Sequence, residues 1–81
     1  MKAEKEYRIL DMEKRVDDIL IEISWREIAS RYFKKSPSWI YHKLHGMDGG
    51  FTKSETVQFK DALLDLSRRI KECADSIVVE D

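Results

Sequence analysis

Two stretches of the chain place apolar side chains at alternating steps of three and four residues. The first covers residues 5–23 and the second runs from about residue 53 to 76. This spacing puts one apolar stripe along an α-helix, so each stretch predicts a long amphipathic helix. The first stripe consists of Ile9, Met12, Val16, Ile19 and Ile23, widened by Leu10 and Leu20. The second consists of Phe59, Leu63, Leu66, Ile70, Cys73 and Ile77.

Between these stretches the helical spacing restarts at Ser24. Ser24 and Glu27 have the S-x-x-E spacing of a capping box, which predicts the start of a short helix over about residues 25–33. Lys34 and Lys35 then predict a tight turn. A long final helix is predicted to start after a second capping box, at Thr52 and Glu55, with Phe51 as a hydrophobic staple.

A second short helix is predicted after the turn. Ser36 can cap it, and Pro37 suits its first position because a first helical residue needs no N–H donor. Ile40 and Leu44 lie one turn apart and predict its buried face. Gly46 is a suitable left-handed end.

The predicted fold is therefore all-α: one domain over residues 1–81, with two long heptad-patterned helices flanking a short pair at about 24–46. The two seams can pair within one chain, or between two chains as a four-helix bundle, and periodicity does not separate these alternatives. A chain this small gains buried surface by self-association, so we expect a homodimer. The residues assigned to this core or dimer seam are Ile9, Val16, Ile19, Phe59, Leu63, Leu66, Ile70 and Cys73.

The stretch SWREIASRYFKKSPSWIYHKLHG, residues 24–46, resembles the helix-turn-helix of Cro/repressor-type proteins. The E-x-x-x-I-A pattern of the first helix is matched loosely by Trp25, Glu27, Ile28 and Ala29. Ser36 and Gly46 match the opening serine and closing glycine of the recognition helix. The resemblance implies binding of double-stranded DNA by a small transcriptional regulator.

The whole chain also resembles a family of short, uncharacterised proteins of gut bacteria and their prophages. The run IASRYFKKSPSWIYHKLHG and the following Gly-Gly-Phe-Thr carry this resemblance. It implies a phage or mobile-element setting and no established activity.

The chain departs from the repressor pattern in its turn and in its recognition helix. The turn is one residue longer than usual, and Phe33 stands where a glycine is common. The outward positions of the recognition helix are Ser38, Tyr41 and His42, without the Gln, Asn or Arg side chains that read adenine or guanine bidentately. We expect these residues to face base edges with weak discrimination. Phosphate contacts are expected from Lys34, Lys35, Ser36, Lys43, His45 and Lys53.

Charge is uneven along the chain. The formal net charge is −1, but residues 24–53 carry +4 while the flanking segments carry −2 and −3. A basic centre is the pattern that a phosphate backbone attracts. The net charge of −1 and the lack of Gln, Asn or Arg among the outward residues of the recognition helix favour the alternative, a non-catalytic α-helical module that binds protein.

The remaining residues exclude several classes of function. The apolar runs are too short to span a membrane, and the mixed charges at the N-terminus are not typical of a signal peptide. One cysteine and two histidines provide neither a disulfide framework nor a convincing metal site, and the carboxylates are dispersed. We therefore expect a cytoplasmic protein without enzymatic activity, cofactor, metal or small-molecule substrate.

Overall fold

A computed structural model describes residues 7–80. Four α-helices and two very short strands make up the fold, with 3-10 turns between some of them. In chain order the elements are β1 (Arg8–Ile9), α1 (Met12–Arg15), a 3-10 turn (Asp17–Ile19), α2 (Trp25–Ile28) continued by a π-helical turn (Ala29–Phe33), α3 (Pro37–Leu44), a 3-10 turn (Met47–Gly49), β2 (Phe51–Thr52) and α4 (Lys53–Ser76). The prediction of a mainly helical fold is confirmed.

The predicted long helix over residues 5–23 is wrong, and its first two residues lie outside the described part of the chain. The helical turn α1 ends at Val16, whose φ of −111° and ψ of 19° are not helical. Branched residues such as Val16 and Ile19 favour a helix weakly, and the Asp17 and Asp18 carboxylates sit unfavourably at its C-terminal end. Because the segment turns twice, Met12 and Val16 still reach the core, whereas Leu10 is exposed.

A small antiparallel ladder replaces the start of that helix. Arg8 pairs with Thr52 and Ile9 pairs with Phe51, so the all-helical prediction fails at these positions. The ladder lies against two glycines that follow α3. A Cβ at Gly46 would lie 2.6 Å from the Leu10 carbonyl oxygen, and one at Gly50 would lie 2.2 Å from that of Ile9. These contacts explain why glycine is needed where the N-terminal segment crosses.

Aromatic rings dominate the core beneath the helices. Phe51 and Phe59 are almost fully buried, with ring centroids 4.9 Å apart. Trp25 stacks on Phe59 at 5.9 Å, and its indole N–H donates to the Leu20 carbonyl oxygen at 2.8 Å. The carbonyl of Leu20 is available because no helix continues through this segment. Trp25, at 3% exposure, is therefore a core residue.

Helix α4 begins as predicted and extends beyond the rest of the fold. Thr52 and Glu55 form the reciprocal bonds of a capping box, at 3.2 Å and 2.9 Å. Its 24 residues span about 36 Å. Residues 70–80 are all exposed, and the described chain is 67 Å long but only 26 by 23 Å across. Cys73, expected to be buried in a seam, is exposed in the single chain.

Within residues 7–80 no helix combines the length and the apolar character needed to cross a bilayer.

Candidate nucleic-acid interface

The α2–turn–α3 unit forms where the sequence predicts a helix-turn-helix. Ser24 caps α2 by accepting the Glu27 backbone N–H at 3.4 Å. Ser36 caps α3 by accepting the Trp39 backbone N–H at 3.3 Å, with Pro37 at the first helical position. Both caps are local side-chain bonds, so they could be predicted from spacing alone.

The turn between the two helices has an unusual backbone. The π-helical turn Ala29–Phe33 widens the end of the first helix, and Lys34 then takes the left-handed conformation with φ 58°. The Lys35 backbone N–H closes this end by donating to the Ala29 carbonyl oxygen at 3.0 Å. Phe33 itself is buried, with its ring centroid 4.9 Å from that of Trp39. The left-handed residue of the turn is therefore Lys34 and not Phe33.

Helix α3 has one anchored face and one open face. Ile40 and Leu44 are buried as predicted, at 0% and 2% exposure. Ser38, Tyr41 and His42, the predicted base-facing residues, are all exposed. The structure thus places these three side chains together on the outer surface of α3, and Trp39 is half-buried beside them.

Lys43 does not lie on that open face, so its predicted role as a phosphate contact is wrong. It is 8% exposed, and its Nζ donates to the Gly50 carbonyl oxygen at 3.0 Å. The same ammonium lies 3.1 Å from Oε1 of Glu55, the capping carboxylate of α4. Its charge is therefore used inside the fold, holding α3 against the start of α4.

The contacts with Lys43 and Thr52 also change the pKa of the Glu55 carboxyl. Partial burial opposes its charge, but hydrogen bonds from the Thr52 backbone N–H and from Lys43 outweigh burial and lower the pKa of the Glu55 carboxyl below its usual value of 4.5. The ionised carboxylate is thus the form that the folded chain stabilises.

The remaining predicted phosphate contacts differ in their surroundings. Lys34 and Lys35 are exposed at the turn, and Lys35 Nζ lies 5.8 Å from the Trp39 ring centroid. Ser36 is exposed at the cap and Lys53 at the first position of α4. His45 is exposed too, but its Nδ1 lies 3.3 Å from Oε1 of Glu13.

The two imidazoles face different carboxylates. Nδ1 of His42 lies 3.8 Å from Oδ2 of Asp48, whereas Nδ1 of His45 faces Oε1 of Glu13. Acidic groups therefore border the C-terminal end of α3. Positive charge is concentrated instead at its N-terminal end, where Lys34 and Lys35 are exposed.

A polar cluster that the sequence did not reveal joins α2 to α4. The Tyr32 hydroxyl donates to Asp65 at 2.5 Å and accepts from Arg69 at 3.0 Å. This hydrogen bond and the Arg68 guanidinium lower the pKa of the Asp65 carboxyl. The partners are more than thirty residues apart in sequence, so no local spacing indicates the contact.

The chain matches a protein family over residues 12–77, and that family is described as a domain of unknown function, DUF5053. The match covers most of the chain, including the whole α2–turn–α3 unit, so the chain belongs to this family. Comparison with curated proteins and with solved structures finds no match.

Proposed function

We propose that the chain is a helix-turn-helix protein that binds double-stranded DNA as a homodimer. The observation that carries this proposal is the open face of α3. Ser38, Tyr41 and His42 are exposed together, while the opposite face of the same helix is anchored by buried Ile40 and Leu44. A rigidly held helix with one free face is what a major groove accommodates.

The charges near α3 support an approach with its N-terminal end closest to the DNA. Lys34 and Lys35 contact phosphates at this end, and the exposed Lys53 adds a third positive charge at the start of α4. Backbone N–H groups at the Ser36 cap add donors for the same phosphates. Lys43 takes no part, because its ammonium is bound to Gly50 and Glu55.

Base reading in this arrangement depends on hydroxyl and imidazole groups. Serine and tyrosine hydroxyls bond to several base edges, so discrimination is weak and DNA shape contributes to it. The proposed role is that of a small cytoplasmic transcriptional regulator of a phage or mobile element. The sequence resemblances supply that setting, and the open face of α3 supplies the DNA contact.

The proposal is tested by removing the charge at the turn. Lys34→Ala with Lys35→Ala should weaken binding to mixed duplex DNA and reduce the salt dependence of log affinity by about 0.9 per lost contact. The matched control is Lys60→Ala with Lys71→Ala on α4, which removes the same charge from two exposed positions. The control should bind much as the wild type does, measured by fluorescence anisotropy at two salt concentrations.

The role of the open face is tested separately by His42→Ala. This change should alter the preference among duplex sequences more than the overall affinity. Wild-type protein that binds no duplex at low salt would overturn the proposal, as would equal losses in the turn variant and its control.

A non-catalytic module that binds another protein is the second candidate. It is favoured by an apolar cavity of about 200 Å³ between the N-terminal segment and α4, lined mainly by Ile19, Ile23, Leu63, Leu66 and Ile70. Absence of duplex binding at low salt, with the fold intact, would make this the better account.

A further inference from the structure

The apolar stripe of α4 continues past the point where its own chain covers it. Phe59 is buried beneath Trp25, and Leu63 and Leu66 are half-buried against the same core. One and two turns further along, Ile70 is 57% exposed and Ile77 is 69% exposed. A single chain thus leaves the outer half of its longest apolar stripe in water.

We propose that this outer half of α4 pairs antiparallel with the same segment of a second copy, and that each copy's tail, residues 77–79, fills the other's apolar cavity. This inference deepens the homodimer part of the proposed function by assigning its surface and orientation. The surface is called the outer stripe below. Its members are Leu66, Ile70, Cys73 and Ile77.

The residues that flank the outer stripe favour a second copy as the occupant. With Leu63, Ile70 and Ile77 at heptad positions a, the flanking e and g positions of the outer half are Ser67, Ala74, Arg69 and Ser76. Small side chains at these positions let two helices approach closely. Charged e and g residues set the choice of partner by interhelical ion pairs, and here three of the four are uncharged, so no complementary charge pattern on a different chain is required.

The charged side chains of this segment are already paired on the outward face. Arg68 bonds to Asp65 at 2.7 Å and to Glu72 at 2.8 Å, and Lys71 bonds to Asp75 at 2.7 Å. These groups pair with one another along their own helix. The outer stripe therefore presents a surface that complements itself, as a two-fold interface requires.

The orientation follows from where the body of the chain lies. Trp25 and the rest of the core cover the stripe at Phe59, on the same face that the outer stripe occupies. In a parallel pair both bodies would lie between the two helices and collide. In an antiparallel pair the bodies lie at opposite ends, and the two outer halves meet.

Packing of a against d positions then sets the register of the antiparallel pair. Ile70 lies beside Cys73 of the second copy, and Leu66 lies beside the start of its extended tail at Ile77. The two-fold axis falls between residues 71 and 72. The tail of each copy consequently reaches the edge of the other copy's body.

The cavity at that edge suits the tail. It is lined by Ile19, Ile23 and Leu63 together with Leu66 and Ile70. Beyond α4 the backbone turns extended at Ile77, and Val78 and Val79 are 78% and 86% exposed. The residues that the structure describes leave these apolar side chains exposed, and their chemistry matches the apolar lining of the cavity.

The tail cannot fill the cavity of its own chain. Leu66 lies ten residues before the end of α4, which is about 15 Å of helix. Val79 is three residues past Ser76 and reaches back at most about 11 Å when fully extended. The tail of the same chain thus reaches no further than Ile70 at the cavity's edge, about 9 Å from the end of α4, whereas the tail of another molecule reaches Leu63 and Leu66.

The size of the contact predicts a weak dimer. Burying one aliphatic side chain removes roughly 60–120 Å² of apolar surface from water. Ile70, Cys73, Ile77, Val78 and Val79 from both copies then give about 600–1,200 Å² in total, at the lower end of specific interfaces. We therefore expect dissociation in the micromolar range.

This dimer separates the two copies of α3. Helix α3 lies beside the first turn of α4 through the Lys43–Glu55 contact, and residue 55 is about 25 Å along the helix from the two-fold axis. The two α3 helices are then about 50 Å apart in this direction, more than the ~34 Å of one turn of B-DNA. The two half-sites bound by the dimer should therefore have centres more than one turn apart.

Sedimentation equilibrium of the full chain without DNA, over a concentration range of micromolar to several hundred micromolar, tests the surface. The wild type should move from monomer to dimer, and Ile70→Asp should remain monomeric. Leu64→Asp is the matched control, because Leu64 is 66% exposed on the outward face of the same helix. Both positions are exposed in the single chain, so circular dichroism should show both variants folded.

A monomeric wild type at the highest concentration would overturn the inference, and so would equal effects of the two substitutions. Because no DNA is present, either result leaves the proposal of DNA binding by α3 standing. Conversely, loss of DNA binding with an intact dimer would overturn the proposed function alone.

Disulfide trapping tests the orientation. Wild-type chain, which has Cys73, is mixed under an oxidant with a size-tagged chain carrying Ile70→Cys and Cys73→Ser. The antiparallel register predicts the mixed product between position 70 and Cys73. Predominance of the two self-paired products would show a parallel pair, and absence of any covalent product would refute the register.

Discussion

Replacing Lys43 by methionine should destabilise the fold without weakening the contact with DNA. Methionine keeps the length and apolar stem of the side chain, but it removes the donor to the Gly50 carbonyl and the charge beside Glu55. An unpaired buried carbonyl costs about 1–3 kcal/mol. A carboxylate left without its buried partner adds to this, although Glu55 keeps 24% side-chain exposure and the Thr52 N–H bond.

We expect the free energy of unfolding to fall by about 2–4 kcal/mol. This is slightly less than the roughly 3–5 kcal/mol that is typical when one partner of a fully buried ion pair is removed. The expected loss is a large share of the stability of a chain of this size, which is of the order of 4–12 kcal/mol. Urea unfolding followed by circular dichroism measures the loss. Lys53→Met is the control, since it removes the same charge from an exposed position.

The free energy of unfolding measured at acidic pH provides a second test of the Lys43–Glu55 pair. The pKa of Glu55 is lowered on folding, so its contribution is complete above its unfolded value of 4.5 and is lost as the pH falls through the lower, folded value. Because Lys43 is one cause of that lowering, Lys43→Met should show a shallower loss of stability below pH 4.5. Equal stabilities of Lys43→Met and Lys53→Met, within about 0.5 kcal/mol, would refute the buried pair, since surface changes usually stay within that limit.

Two further predictions concern other parts of the fold and the surface. Gly50→Ala should lower the free energy of unfolding by at least about 3 kcal/mol, because a methyl group would lie 2.2 Å from the Ile9 carbonyl oxygen in a backbone with φ 67°. Gly49→Ala should cost less, because its methyl group would meet the Arg8 side chain at 3.1 Å. Thermal unfolding compares the two variants, and equal losses of stability would contradict the close approach at Gly50. In a footprint of the wild-type dimer on a bound duplex, the centres of the two protected half-sites should lie more than one helical turn apart, and centres one turn apart would contradict the antiparallel arrangement.

Local patterns predicted much of the helix-turn-helix and the start of α4. Ser24, Ser36 and Thr52 each cap a helix through a bond to a backbone N–H three residues on, and that geometry is visible as spacing. The burial of Ile40 and Leu44 could also be predicted from spacing, because the two residues lie one helical turn apart. These features depend on neighbours within about one helical turn.

The errors arose where distant segments decide the conformation. The apolar spacing of Met12, Val16 and Ile19 fits one helix, but it equally fits two short turns that bury the same side chains. The pairing of Ile9 with Phe51 stabilises the arrangement of two short turns, and no local pattern indicates that pairing. Lys43 was misassigned because its burial depends on Gly50 and Glu55, which only the folded chain brings against α3.

The central claim is that DNA contacts the open face of α3 and the turn before it. An NMR titration of ¹⁵N-labelled protein with duplex DNA at low salt tests this claim residue by residue. The account predicts the largest amide shifts at residues 34–42, at Ser38, Tyr41 and His42 in particular, with small shifts along residues 66–80. No shift on addition of duplex, or shifts concentrated in residues 66–80, would contradict it.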